Sequence, residues 1–149
     1  MWIYGGGFAS GTSTLALYDG AHLAARGDVV VVSMQYRLGP LGFLYLGSDS
    51  GAPGTVGLLD QQLALKWIHN HISDFGGDPQ KVTIFGESAG AASVGYHLLS
   101  PGSEQFFRYA IMQSATPAAP WAFVEPEEMK EISYKLAELV RYRSKLYYR

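Results

Sequence analysis

Cysteine is absent from the sequence, and this absence excludes two kinds of chemistry. Without thiols the chain can form neither a disulfide framework nor a thiolate site for catalysis or metal binding. The same absence leaves the redox compartment undetermined, because cysteine usage is the feature that would indicate it.

Long apolar runs are also missing. No stretch of the sequence approaches the roughly 20 apolar residues that are needed to cross a bilayer. The first residues, Met1 to Tyr4, show neither a charged leader nor a cleavage pattern. The sequence therefore predicts neither a membrane span nor a targeting signal within these residues, while membrane anchoring and oligomeric state stay open.

Positive charge is scarce as well, since the formal net charge is −2. Nucleic-acid-binding surfaces are strongly basic, so this balance argues against DNA or RNA as a partner. Four of the 11 basic residues lie within the last nine positions: Arg141, Arg143, Lys145 and Arg149.

The remaining composition is that of a globular protein. Hydrophobic residues make up 48% of the 149 residues and charged residues 16%, which excludes a disordered chain. This length supports one domain, or part of one.

The most informative motif is Gly86-x-Ser88-x-Gly90. The residues from Val82 to Phe85 have the pattern of a short buried strand, and Ala89 to Leu99 that of a helix. Ser88 is thereby predicted to lie in a sharp strand-to-helix turn, the context of a nucleophile elbow. The bare pattern is common, and an ordinary turn is the alternative.

Three successive glycines, Gly5 to Gly7, directly follow an apolar strand at the start of the sequence. Such a run costs backbone entropy and needs a reason. We favour a loop whose backbone N–H groups approach a ligand oxygen, as in an oxyanion hole, over a flexible connector.

The order of the predicted elements is that of an α/β protein with a parallel sheet. Strands are expected at the start, at Asp28–Ser33, near Val82 and near Tyr109. Helices are predicted over 57–72, 89–99 and 125–140. Right-handed crossovers would bring the glycine loop and Ser88 to the same edge of the sheet.

With these pieces placed, the sequence resembles the type-B carboxylesterase and cholinesterase family. The resemblance is nearly continuous from Trp2 to about Val140. It is carried by residues 2–8, 33–37, 57–61, 75–79, 85–95, 98–102 and 113–114. It implies an incomplete α/β-hydrolase fold, a mostly parallel sheet flanked by helices, with residues 1–140 as a partial domain and 141–149 as a divergent basic tail.

The resemblance also implies roles for individual residues. Ser88 corresponds to the nucleophile, and the backbone N–H groups of Gly6, Gly7 and Ala89 to the oxyanion hole. Glu87, Trp121, Tyr18 and Phe8 correspond to substrate-binding residues, and Arg37 with Asp60 to a structural ion pair. Plainer alternatives stay open: Glu87 as a solvating carboxylate, and Tyr18 and Trp121 as core aromatics.

Two positions depart from the family pattern. Ala9 stands where many cholinesterases carry an aromatic residue at the rim of the gorge, and Ala115 replaces a glycine. The first departure puts a peripheral cation site in doubt.

A hydrolase of this class needs a histidine base and a carboxylate after the serine. Only His97 follows Ser88, and it lies about 13 Å along the same helix at ~1.5 Å per residue. We therefore predict that the acid and the histidine are absent and that these residues alone show little turnover. Neither a metal nor another cofactor is expected.

The predicted function is hydrolysis of a small-molecule ester through an acyl-serine, with choline esters as first choice and general carboxylic esters as second. An inactive adhesion homologue or a truncated product is the alternative. A secreted or cell-surface location is expected from the resemblance alone.

Overall fold

The computed structural model describes the backbone of residues 1–147 and the side chains of residues 1–141. Its main elements follow one another as β1 (Trp2–Ile3), α1 (Ala21–Gly27), α2 (Gly39–Phe43), α3 (Val56–His71), β2 (Thr83–Glu87), α4 (Ala89–Leu99), β3 (Tyr109–Gln113) and α5 (Pro126–Tyr147). Short 3-10 helices cover Ala16–Tyr18, Ile72–Phe75, Pro79–Lys81 and Glu104–Phe106.

Three parallel strands form the sheet, in the order β1, β2, β3. Phe85 in the central strand pairs with Trp2 on one side and with Ile111 on the other. Parallel strands need helical crossovers, which α3 and α4 supply. The predicted parallel α/β architecture is thus confirmed, as a partial sheet.

The predicted strand Asp28–Ser33 is wrong. This segment contributes only an isolated bridge between Ser33 and Trp2, beside a hydrogen bond from the Trp2 N–H to the Val32 carbonyl at 2.7 Å. Its valines are not fully buried either, since Val29 is 49% exposed. The physical reason is that β1 has only two residues and offers few groups with which a neighbouring strand could pair.

The helix predicted over 57–72 is confirmed as α3, which continues into a 3-10 turn and stops at Gly76 with φ of 80°. This left-handed conformation is one that glycine adopts without strain. The buried face of α3 presents Gln61, Leu65 and Ile68 to the core.

Helix α4 coincides with its prediction and is the most deeply buried element. Every residue from Ala89 to Gly95 is buried, and these residues are small. Small side chains allow the helix to lie close to all three strands, where the core contains Ile3, Ile84 and Val94.

Helix α5 extends past its predicted end at Val140 to Tyr147. Pro126 is well placed at its first position, and neither glycine nor proline interrupts the residues that follow. The side chains of 142–147, and residues 148 and 149, lie outside the described part, so the division into a domain and a basic tail remains a prediction. None of the helices described is both long and apolar enough for a membrane crossing.

A bidentate ion pair joins the segment after Tyr36 to α3. The Arg37 guanidinium donates to both carboxylate oxygens of Asp60, at 2.8 and 2.7 Å, and the Arg37 backbone N–H adds a third bond at 3.0 Å. The pairing predicted by resemblance is therefore present. The bonds from the Arg37 side chain hold the pKa of Asp60 below its ordinary value.

This depressed pKa predicts how acid affects stability. A carboxylate with a folded pKa below its unfolded value stabilises the protein above the unfolded pKa, and the gain is lost as pH falls through the folded value. Asp60→Asn should therefore lower the melting temperature at pH 7, and the difference from wild type should vanish in strong acid. Thermal unfolding of both proteins, followed by circular dichroism from pH 7 to pH 2, measures this difference in melting temperature.

The control is Asp74→Asn, because Asp74 is exposed and has no ion pair among the described residues. A constant difference between wild type and Asp60→Asn at every pH would contradict the assignment.

Candidate active site

Ser88 lies between β2 and α4. Its backbone has φ of 55° and ψ of −121°, a conformation that residues other than glycine rarely adopt. Two hydrogen bonds hold this turn: the Ser88 N–H donates to the Gln113 carbonyl, and the Ser88 carbonyl accepts from the Ala92 N–H, both at 3.0 Å. Conformations of this kind cost of order 1–3 kcal/mol and persist where the surrounding structure fixes them. The predicted strand-turn-helix context of the serine is present.

The flanking glycines of the motif are required by packing. A Cβ on Gly90 would collide with the Ile3 carbonyl, and a Cβ on Gly86 would come within 2.5 Å of the Gly90 backbone. Their missing side chains let the start of α4 lie directly against β1. The turn at Ser88 is sharp because the strand and the helix approach each other at the backbone.

The glycine loop lies beside Ser88, as predicted from right-handed crossovers between parallel strands. A Cβ on Gly5 would be 2.9 Å from the Cβ of Ser88 and 2.5 Å from the Glu87 carbonyl. The loop then turns at Gly6 and Gly7, with φ of 121° and 61°.

The loop leaves backbone donors free. The Gly6 carbonyl accepts from the N–H groups of Ala9 and Ser10, at 3.1 and 3.0 Å. Among the described residues no hydrogen bond uses the N–H of Gly6 or Gly7, and both glycines are exposed. The N–H of Ala89 lies in the first turn of α4, where no intrahelical acceptor exists and the helix dipole favours negative charge.

Two tyrosines that the sequence reasoning missed anchor this loop. Tyr4, directly before Gly5, stacks on Tyr36 with ring centroids 4.5 Å apart. The Tyr36 hydroxyl donates to the Tyr4 carbonyl at 2.8 Å, and the Tyr4 hydroxyl donates to the Tyr36 carbonyl at 3.3 Å. Burial, with the nearby Tyr4 and Tyr18, raises the pKa of Tyr36. Only their positions beside the glycine run and Arg37 could have indicated this role.

The residues expected to bind substrate fall into two groups. Phe8 and Trp121 come together, with ring centroids 6.4 Å apart, and Phe8 also contacts Phe43 at 5.0 Å. Trp121 remains 47% exposed, so it is not a core aromatic. Phe43, which the sequence reasoning did not select, extends this group at the end of α2.

Glu87 and Tyr18 are placed differently. A carboxylate oxygen of Glu87 lies 3.1 Å from the Cβ position of Gly5, so its charge faces the start of the glycine loop. Tyr18 packs on Trp2 at 5.1 Å, and Trp2 in turn packs on Phe85 at 5.0 Å. The contacts of Tyr18 are thus those of a residue at the margin of the core.

The hydrogen bonds and ring contacts of His69, His71 and His97 are with residues other than Ser88. His97 is 3% exposed, and its ring nitrogens bond to Ser103 and Gln61. His69 packs on Phe106 and His71 on Trp67. The structure gives Ser88 no histidine partner within residues 1–141, and it shows no cluster of three or more potential metal ligands there.

This geometry, a serine in a strand-turn-helix beside a loop of free N–H donors, is the geometry typical of a nucleophile elbow in α/β-hydrolase folds. Comparison with known proteins agrees. The model of the carboxylesterase family matches residues 1–147, and the chain belongs to this family.

Named relatives are cholinesterases. The chain is 62% identical over 137 residues to cholinesterase 1 of Branchiostoma lanceolatum, covering 92% of this chain and 38% of that protein. It is 58% identical over 140 residues to the acetylcholinesterase of Danio rerio and 57% identical over 140 to that of Electrophorus electricus, covering 94% of this chain and 22% of each relative. The chain therefore spans well under half the length of these relatives.

Strain at Ser88 can be measured by two substitutions at one position. Ser88→Gly should be more stable than Ser88→Ala by about 1 kcal/mol, because glycine adopts this conformation without a Cβ clash. Urea unfolding of both variants gives the difference. The matched pair is Ser100→Gly and Ser100→Ala, at a residue with φ of −94°, where glycine should give no gain. Equal stability of the two Ser88 variants would refute the strain.

The close approach of α4 to β1 gives a second prediction. Gly90→Ala should destabilise the protein by about 2 kcal/mol or more, since its methyl group meets the Ile3 carbonyl and neither backbone can yield easily. Gly51→Ala is the control: a Cβ there has open space, so its effect should stay within about 0.5 kcal/mol. Similar unfolding free energies for the two variants would contradict the packing argument.

Proposed function

We propose that this chain is the nucleophile-bearing part of a serine carboxylic ester hydrolase of the cholinesterase type. The observation that carries the proposal is Ser88, held in a strained turn at the head of α4 with the glycine loop against it. Family membership adds support, because the named relatives are cholinesterases.

The reaction would begin with attack of the Ser88 hydroxyl oxygen on the ester carbonyl carbon. The tetrahedral intermediate carries its negative charge on the former carbonyl oxygen, within reach of the free N–H groups of Gly6, Gly7 and Ala89. Losing one such preorganised donor typically costs ~10²–10³ in rate. Collapse releases the alcohol and leaves an acyl-Ser88, which water then hydrolyses to the acid.

Both steps need a base that takes and returns a proton. Since no histidine contacts Ser88 in the described residues, we place the base and its carboxylate partner in the part of the relatives' length that this chain does not match.

Choline esters are the substrates that we propose first. Phe8 and Trp121 offer aromatic faces near the glycine loop, and Glu87 adds a carboxylate at the serine. An aromatic face and a negative charge are the groups that attract a quaternary ammonium ion. General carboxylic esters are the second choice, and a secreted or cell-surface setting remains part of the proposal.

A non-catalytic interaction role is the competing function. The complete elbow argues against it, because a protein that only binds a partner does not need a serine hydroxyl beside free backbone N–H donors.

The test is a chimaera in which this chain replaces the matched 140-residue segment of the Danio rerio acetylcholinesterase. The chimaera should hydrolyse acetylthiocholine, and Ser88→Ala should lower kcat by about 10⁴-fold or more, since nothing else can accept the acyl group. Ser100→Ala is the matched control and should retain activity. The 149-residue chain alone should show no turnover.

The same assay measures whether the chimaera prefers a choline ester to an uncharged ester. Acetylthiocholine should be preferred over an uncharged acetate ester, and replacing Glu87 by Gln should reduce that preference. A folded chimaera that hydrolyses neither ester would refute the function, and one that hydrolyses only the uncharged ester would favour the general carboxylesterase.

A further inference from the structure

A continuous chain of polar side chains connects α3, α4 and the turn that follows α4. Gln61, Ser93 and Ser103 are fully buried and His97 is 3% exposed. The links are Gln62 Nε2 to Ser103 Oγ (2.9 Å), Ser103 Oγ to His97 Nδ1 (2.9 Å), His97 Nε2 to Gln61 Oε1 (3.0 Å), Gln61 Nε2 to Ser93 Oγ (3.1 Å), and Ser93 Oγ to the Ala89 carbonyl (2.9 Å).

The chemistry of these groups fixes the direction of every bond. The Gln61 Oε1 can only accept, so the proton of the imidazole must lie on His97 Nε2. The other nitrogen, Nδ1, then accepts from the Ser103 hydroxyl, which itself accepts from Gln62. At the opposite end Ser93 accepts from Gln61 and donates to Ala89. Every donor in this network therefore points in the same direction, from Gln62 towards the carbonyl of Ala89.

This pattern requires a neutral imidazole. A second proton on His97 would meet the Ser103 hydroxyl, which already accepts from Gln62 and would lose its own acceptor. Burial lowers the pKa of His97 to about 4, in agreement with the neutral form at physiological pH. His97 therefore has a structural part in the chain of bonds and is not a base for Ser88.

Burial alone does not explain why polar groups occupy these positions. Apolar side chains of similar volume would fill the space without the ~1–3 kcal/mol penalty that any unpaired buried polar group carries. The polar network specifies how α4 is aligned with α3, because its hydrogen bonds are all satisfied in only one register of the two helices. Its last bond ends on Ala89, the first residue of α4.

We propose that Gln61 and Ser93 are positioning residues for the oxyanion hole. They fix the carbonyl of Ala89, which prevents the first turn of α4 from rotating and keeps the Ala89 N–H directed at the oxygen that becomes negative. The proposal rests on the function proposed above, because it takes Ala89 as one of the oxyanion donors. Neither side chain touches substrate, so both would act through Ala89.

The first experiment is kinetic and uses the active chimaera. Ser93→Ala should lower kcat about tenfold with little change in KM, because displacing a donor by a fraction of an ångström weakens transition-state stabilisation much more than it weakens substrate binding. Gln61→Met should have the same effect. The double variant should be no worse than either single one, since both changes cut the same connection.

Ser133→Ala is the matched control for lost stability. Ser133 is a residue of α5 and is 1% exposed, and its hydroxyl accepts from the Tyr45 N–H at 3.2 Å, so this hydrogen bond involves neither α3 nor α4. Its removal should lower the melting temperature by an amount similar to Ser93→Ala while kcat stays unchanged. If Ser133→Ala reduced kcat equally, or if Ser93→Ala destabilised the protein with kcat intact, the positioning role would be overturned.

The second experiment does not depend on activity. In the 149-residue chain, the ¹³C resonance of the Ala89 carbonyl should shift upfield in Ser93→Ala and in Gln61→Met, and stay in place in Ser133→Ala. An inactive chimaera with these shifts would refute the proposed function but retain the connection to Ala89. An unchanged Ala89 resonance in both variants would refute the connection itself.

Discussion

The contact between the start of α4 and the backbone of β1 is the constraint on which the rest of the structure depends. It exists because Gly86 and Gly90 carry no side chain, and a Cβ at Gly90 would meet the Ile3 carbonyl. Once the helix lies this close, the chain has only one residue in which to turn from β2 into α4. Ser88 is that residue, and its unusual backbone conformation is the direct result.

The glycine loop depends on the same closeness. Gly5 follows β1 and packs against Glu87 and Ser88 because the strand that precedes it is held beside β2 and α4. The stacked tyrosines Tyr4 and Tyr36 then fix where the loop begins. Free N–H groups and the serine hydroxyl are therefore kept together by backbone packing and by a few buried hydrogen bonds.

Polar side chains of α3 stabilise this arrangement both at the surface and in the core. Arg37 and Asp60 connect the surface segment after Tyr36 to α3, where solvent screens part of their attraction. Gln61, one residue further along α3, faces inwards and bonds to Ser93 and His97 of α4. Helix α3 thus braces both the outer segment and the helix that begins directly after Ser88, although it contributes no residue to the candidate site itself.

The sequence by itself determined the parallel α/β order, α3, α4 and the turn at Ser88, because periodicity, glycine spacing and local propensity act over a few residues. Tertiary structure decided the rest. Val29 and Val30 have the composition of a buried strand but remain partly exposed, since burial depends on which neighbours are present. The pairing of Tyr4 with Tyr36, of Phe8 with Phe43 and of Gln61 with His97 joins residues more than 30 positions apart. No local pattern encodes such contacts, because they follow from the way in which the strands and helices pack.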